Sequence, residues 1–241
     1  MSDLTPFDDE GIESVLCVIA HPDDIEYGTA AAVAKWTAAG KRVAYYLLTS
    51  GEAGIDGLTP QQCGPLREAE ERASAARVGV ETVEFAGHPD GMVEYGLALR
   101  RDIARAIRRH RPDLVTTLSR HEMVGSTINQ ADHRVVGLGV LDATGDAGNR
   151  WVFPELAADE GLEPWSVTAV AFAASPIANQ YIDVSEHFED GVASLEEHAR
   201  YLAGLPDDYP SARDLLESIL GGAATDIDGV RYALPLEIIR R

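Results

Sequence analysis

His21-Pro22-Asp23-Asp24 is the segment of this 241-residue chain whose side-chain types and spacing most clearly specify a chemistry. It follows a near-continuous apolar run, Ser14–Ala20 (SVLCVIA). An imidazole and a carboxylate so spaced at a strand-to-helix turn can aim at one point. Mixed N/O ligand sets of this kind suit zinc, whose catalytic sites keep one position for water. His21 and Asp24 then need a further ligand from elsewhere, and His133, within Asp132-His133-Arg134, is the natural one. Asp23 would stand free beside the metal as general base for the bound water. Its carboxylate is ionised at neutral pH without any special shift, and zinc brings that water's pKa toward about 7. A local alternative gives the same residues to a helix start, with His21 as cap, Pro22 opening the helix and both aspartates complementing its dipole. The place after the first strand and the later Asp132-His133-Arg134 favour the metal.

These residues need a scaffold that gathers them. After the first strand the pattern predicts a helix over Tyr27–Ala39 and strands at Val43–Thr49, Thr82–Ala86, Leu114–Leu118 and Val167–Ala174. Helical patterns cover Leu66–Val78, Leu97–Arg109, Ala131 to Ala143, Phe188–Leu205 and Ala212–Leu220. The alternation predicts one α/β domain over 1–241, with a mostly parallel sheet and helices on both faces. Residues 1–13 are expected to be flexible, and 206–241 to form a C-terminal extension packed on the domain. In open α/β sheets, ligands bind beyond the carboxyl ends of the strands. His21, His88, His121 and His133 all fall on that edge.

Composition narrows the function classes. Forty Asp and Glu against 20 Lys and Arg leave a formal net charge of −20, a field that repels nucleic acid and anionic membrane surfaces. No apolar stretch approaches the roughly 18 residues that span a bilayer, so stable membrane insertion is not expected. The acidic N-terminal segment lacks the pattern of a secretory signal, and a cytoplasmic location is expected. Cys17 and Cys63 are too few for a disulfide framework. No G-x-G-x-x-G follows a strand, and neither a P-loop lysine nor G-x-S-x-G is present, which removes the usual support for a nicotinamide oxidoreductase, an NTPase or a serine hydrolase.

With an apolar strand before His21-Pro22-Asp23-Asp24 and Asp132-His133-Arg134 about a hundred residues later, the chain resembles the PIG-L/LmbE-like zinc-dependent N-deacetylases. That family includes deacetylases of N-acetylglucosaminyl-phosphatidylinositol and of the mycothiol precursor. Arg67 and Glu70 fit its Arg-x-x-Glu helix start, and Val184–His198 is similar to its late helix ending in histidine. The resemblance implies a Rossmann-like sheet, homo-oligomers, and hydrolysis of an N-acetyl amide on a glucosamine-type small molecule. Zinc, or another divalent metal, would lie on His21, Asp24 and His133, with Asp23 as base.

The chain departs from the family pattern at two places. Ile25 intervenes before Glu26, and Gln130 stands where many members have the first histidine of His-Pro-Asp-His. Losing one oxyanion donor typically costs about 10²–10³ in rate. Either the Gln130 amide substitutes, or His187 or Arg120 supplies the function, or the chain hydrolyses poorly. Gln130 and Asp132 therefore join Asp23 as catalytic candidates, with Asp132 also able to orient His133 from behind. Arg67, His88 and His121 are the substrate-binding candidates. For Arg67 the competing reading is an ion pair to Glu70 or Glu71, for His88 a turn near the pocket, and for His121 a solvated loop. Two other functions compete with sugar N-deacetylation: an amidase for larger N-acyl conjugates or natural-product intermediates, and a catalytically weak zinc- or sugar-binding homologue.

Overall fold

Strand β2 (Ser14–Ile19) is buried along its whole length, as a run without polar alternation requires when both faces of a parallel sheet are covered. It lies between β3 (Arg42–Leu47) and β5 (Leu114–Leu118), parallel to both. The computed structural model describes residues 4–241. Its main sheet has eight strands in the order β1-β9-β10-β8-β5-β2-β3-β4. Here β1 is Thr5–Pro6, β4 Thr82–Phe85, β8 Ala169–Ala173, β9 Gln180–Asp183 and β10 Ala233–Arg240. Only β10 runs against its neighbours, β8 and β9. A separate hairpin is formed by β6 (Met123–Val124) and β7 (Thr127–Ile128).

From β2 the chain proceeds through α1 (Thr29–Ala38) to β3 and through α2 (Pro60–Arg77) to β4, stepping toward one edge. It returns through α3 (Leu97–His110) to β5 on the other side of β2. The strand order therefore reverses between β2 and β5, and the crevice beyond their carboxyl ends is where an open α/β sheet binds its ligand. After β5 and the hairpin, α4 (Ala131–Gly148) packs on α3, and the short α5 (Glu155–Ala158) follows. One face of the sheet is covered by Leu99, Ile103, Val136 and Val140 from α3 and α4. The other is covered by Val33 and Trp36 of α1, with Val192 and Leu195 of α6 (Phe188–Glu196) and Leu216 of α8 (Ala212–Leu216). Between the latter two lies α7 (Ala199–Leu202).

Several boundaries differ from the sequence expectation. Helix α2 starts at Pro60, not Leu66, because Thr59 and Gln62 form a capping box ahead of it and Pro65 is accommodated inside. The expected helix over Phe188–Leu205 breaks at Glu197-His198 into α6 and α7. In place of a flexible 1–13, Thr5 and Pro6 pair with β9, and Phe7 and Ile12 are buried; residues 1–3 lie outside the described residues. Nor is 206–241 an extension laid on the domain, since β10 is an interior strand joining β8 to β9. Cys17 and Cys63 are buried free thiols. Among the described residues no helix is long and apolar enough to cross a membrane.

Candidate functional site

The residues after β2 do not start a helix. His21 to Gly28 form successive turns, and α1 begins only at Thr29. Asp24 closes the first turn by accepting the backbone N–H groups of His21 (2.8 Å) and Ala20 (3.1 Å) at Oδ2. That leaves Oδ1 facing the crevice. Across it, the first turn of α4 presents His133. The helix can approach because Gly137 abuts the end of β5: a Cβ there would stand 2.8 Å from the Leu118 carbonyl oxygen and 3.0 Å from the Arg120 nitrogen.

His133 Nε2 lies 3.0 Å from Asp24 Oδ1 and 3.2 Å from His21 Nδ1. The opposite nitrogen of each ring is held from behind. His21 Nε2 faces Asp90 Oδ1 at 3.1 Å and Asp132 Oδ2 at 3.3 Å. His133 Nδ1 faces Asn129 Oδ1 at 3.2 Å, while the Asn129 amide nitrogen donates to the Ser119 and His121 carbonyls. With the outer nitrogens as the N–H donors, as metal-ligating histidines require, the lone pairs of both inner nitrogens point at one another. Two lone pairs at that separation repel unless a cation lies between them. Neighbouring ligands of a tetrahedral zinc with bonds of about 2.0–2.1 Å stand roughly 3.3 Å apart, so the donor set fits a divalent metal in type and spacing. The surrounding carboxylates call for positive charge, which a proton on His21 supplies in place of an ion. Burial alone would lower the His21 pKa, yet Asp24, with Asp132 and Asp90, pushes it up to about 12. Burial alone would raise Asp24, but His133 and His21 hold it well below the usual carboxylate range.

Asp23 points into the same cavity but is not part of that trio. It sits at φ 93°, a region that L side chains rarely occupy outside functional turns. Arg67 Nη2 pairs with its Oδ1 at 3.1 Å and also donates to the Pro22 carbonyl. Gly51, at φ 61°, makes way for that guanidinium: a Cβ there would fall 2.5 Å from Arg67 Nη1. Burial pushes the Asp23 carboxyl up to about 6 against the pull of Arg67. That value suits a group that gains and loses a proton near neutral pH.

The cavity above these groups measures about 1190 Å³. Tyr27, Tyr201 and Tyr209 line part of it, and Ile219, Leu234 and Pro235 add an apolar wall. Tyr201 also receives the Arg67 guanidinium over its ring, 4.1 Å from the centroid. Gln130, at the N-cap of α4, lines the cavity too.

The structure thus brings His21, Asp23, Asp24, Gln130, His133 and Arg67 together. It corrects four details. Asp132 backs His21 rather than His133, whose partner is Asn129. The ion-pair partner of Arg67 is Asp23, not Glu70 or Glu71. His88 turns to Asp102 at 3.2 Å and His121 to Glu237 at 3.4 Å, and neither lines the cavity. Arg120 is engaged by Glu237, and His187 by Asp190 near the surface, so neither supplies the group missing at Gln130. Asp90 and Asn129 were not among the expected site residues. For Asp90 the signal was the His88-Pro89-Asp90-Gly91 turn itself, in which the aspartate rather than the histidine reaches the site.

A profile for the family described as "PIG-L: GlcNAc-PI de-N-acetylase" matches residues 16–144. The diacetylchitobiose deacetylase of Thermococcus kodakarensis is 31% identical over 202 residues, covering 80% of this chain and 71% of that one. The 1D-myo-inositol 2-acetamido-2-deoxy-alpha-D-glucopyranoside deacetylase of Thermobispora bispora is 28% identical over 193 residues, 67% of this chain and 59% of its own length. Among solved structures, the N,N'-diacetylchitobiose deacetylase of Pyrococcus horikoshii superposes with a TM-score of 0.84 at 23% identity, over 96% of this chain and 85% of that one.

Proposed function

The chain belongs to the PIG-L family, and we propose that it is a zinc-dependent N-deacetylase that hydrolyses an N-acetyl amide on a glucosamine-type small molecule. The observation that carries this reading is the pair of facing nitrogens, His21 Nδ1 and His133 Nε2, 3.2 Å apart beside the Asp24 carboxylate. These residues would hold the metal. When bound, a divalent ion at this point polarises the amide carbonyl and acidifies water.

Asp23 takes the proton from the attacking water as the water adds to the carbonyl carbon. It returns that proton to the amide nitrogen as the carbon–nitrogen bond breaks, leaving acetate and a free amine. Arg67 keeps the Asp23 carboxyl in place and, with burial, sets its proton affinity. Gln130 offers a neutral amide N–H to the developing oxyanion, a weaker donor than an imidazolium. The tyrosines give a sugar ring apolar faces and hydroxyl partners.

The volume of the cavity favours a substrate longer than a single sugar, since pockets of about 300–1,000 Å³ already hold drug-sized ligands. An acetylated disaccharide fits the first relative's name; a larger N-acyl conjugate is the second reading that the same volume supports. The test is zinc per chain together with amine release from N,N'-diacetylchitobiose and from N-acetylglucosamine, for wild type and Asp23→Asn. One zinc with turnover lost in the variant supports the mechanism. One zinc without turnover on any acetylated sugar points to a weak or binding-only homologue, and no zinc rejects the site.

A further inference from the structure

Beneath Asp23 lies a second cluster that the proposed chemistry leaves unused. Glu26, Glu71 and His198 are each fully buried, and they come from the turn after β2, from α2, and from the break between α6 and α7. His198 Nε2 stands 3.6 Å from Glu26 Oε2 and equally 3.6 Å from Glu71 Oε2. Ser74 Oγ donates to Glu26 Oε1 at 2.7 Å. Glu71 Oε2 also accepts the backbone N–H of Asp23, at 3.1 Å. A buried carboxylate is costly unless it is paired and hydrogen-bonded, and Leu at position 71 would fill the same space without that cost. What Leu could not supply is an acceptor for the N–H of a residue at φ 93°. Strained backbone persists only where its surroundings over-determine it. Arg67 restrains the Asp23 side chain, and Glu71 restrains its main chain.

We propose that Glu71 is a positioning residue: buried beside His198 and Glu26, it clamps the Asp23 N–H and so holds the carboxyl of Asp23 toward the His21, Asp24 and His133 centre. The proposal rests on the reading of Asp23 as the base. A metal ion is the competing occupant of the lower cluster, because the donor atoms of Glu26, Glu71 and His198 lie within 4.8 Å of one another. The positioning role is favoured because Glu71 Oε2 already accepts the Asp23 N–H.

The experiment compares the zinc-loaded wild type with Glu71→Gln, Glu71→Asp, Glu71→Leu and Asp23→Asn. It measures kcat and KM on N,N'-diacetylchitobiose, metal per chain, and hydrogen exchange of the peptide spanning 20–28. Glu71→Gln keeps an acceptor of the same reach and should stay within about threefold of the wild-type kcat. Glu71→Asp withdraws the acceptor by one methylene, and Glu71→Leu removes it. Both should lower kcat by about 10–100-fold, the cost of misplacing a reacting group by an ångström or less. KM and metal content should be unchanged, and exchange over 20–28 faster. Glu71→Asp keeps the test decisive where Glu71→Leu fails to fold. Wild-type kcat in Glu71→Asp overturns the proposal, as does equal damage in Glu71→Gln, or a second metal ion per chain that disappears in Glu71→Leu. Retained turnover in Asp23→Asn instead overturns the base assignment, so the two failures are told apart.

Discussion

Asn129 Oδ1 accepts from His133 Nδ1 at 3.2 Å, and the Asn129 amide nitrogen is itself spent on the carbonyls of Ser119 and His121. The side chain therefore cannot flip to present N–H, and it dictates which nitrogen of His133 carries the proton. Asn129→Leu should weaken zinc binding by about 10–100-fold, the usual cost of losing the partner behind a metal-ligating histidine. Competition with a zinc chelator of known affinity measures it, and an unchanged zinc affinity would remove Asn129 from this role.

Asp132 and Asp90 do the same for His21, but in duplicate. Either Asp90→Asn or Asp132→Asn alone should leave one carboxylate on Nε2 and cost less zinc affinity than the double variant. Neighbours sharing one partner are not additive, so the double loss should exceed the sum of the single ones. A full double-mutant cycle with the same chelator decides it.

Zinc should also stabilise the fold, because it neutralises carboxylates gathered around His21 and His133. Chelation should lower Tm, and returning zinc should restore it, with the shift rising with free zinc as expected for a ligand of the native state alone. The His21→Ala variant should show no such dependence on zinc, which a thermal melt series would check.

Away from the site, Glu237 on β10 accepts both Arg120 Nη1 (3.0 Å) and Nη2 (2.7 Å) and also Ser175 Oγ. Burial alone would raise its pKa, but Arg120 and Ser175 bring it below the ordinary value. A depressed folded-state pKa contributes stability above the unfolded value of about 4.3, and that stability is lost as pH falls through the folded value. Glu237→Gln should therefore be less stable than wild type at pH 7, by about 1–3 kcal/mol. The gap should begin to close as pH falls below about 5 and be gone once pH has passed below the depressed folded-state pKa. Urea melts across that range would show it, and a gap constant with pH would exclude the ionic contribution.

Gly137→Ala should push α4 away from the end of β5, since the new methyl would meet main-chain atoms that have no freedom to move aside. His133 rides on that helix, so weaker zinc binding should accompany a loss of stability of about 1–3 kcal/mol. Zinc titration and melting of the same preparation would test the coupling.

How much of this was legible in the sequence depended on where each signal was stored. Strands β2, β3, β5 and β8 announce themselves because both their faces are buried, and His21, Asp23, Asp24 and His133 by residue type and order. Strand β10 was missed because Pro235 and Glu237 interrupt its apolar pattern, and Glu237 is satisfied by Arg120, far away in the chain. Asn129, Asp90 and Glu71 act through directions that a loop or helix face confers, and nothing in their local spacing reports that. His88 and His121 drew attention by being histidines on the correct edge, yet each found a carboxylate partner outside the cavity.

The interior position of β10 has a consequence for how the molecule comes together. Residues 233–240 follow both of the strands they join, so β9 and the β1 segment paired with it have no link to the rest of the sheet until that late segment arrives. The half that carries His21, Asp24 and His133 has all its strands long before then. During synthesis the metal-binding half can assemble first, while β8 waits with an open edge, the kind of unpaired strand that invites aggregation. Sealing that edge early, by an antibody or a designed strand, should trap the chain with its metal centre formed and its sheet unfinished.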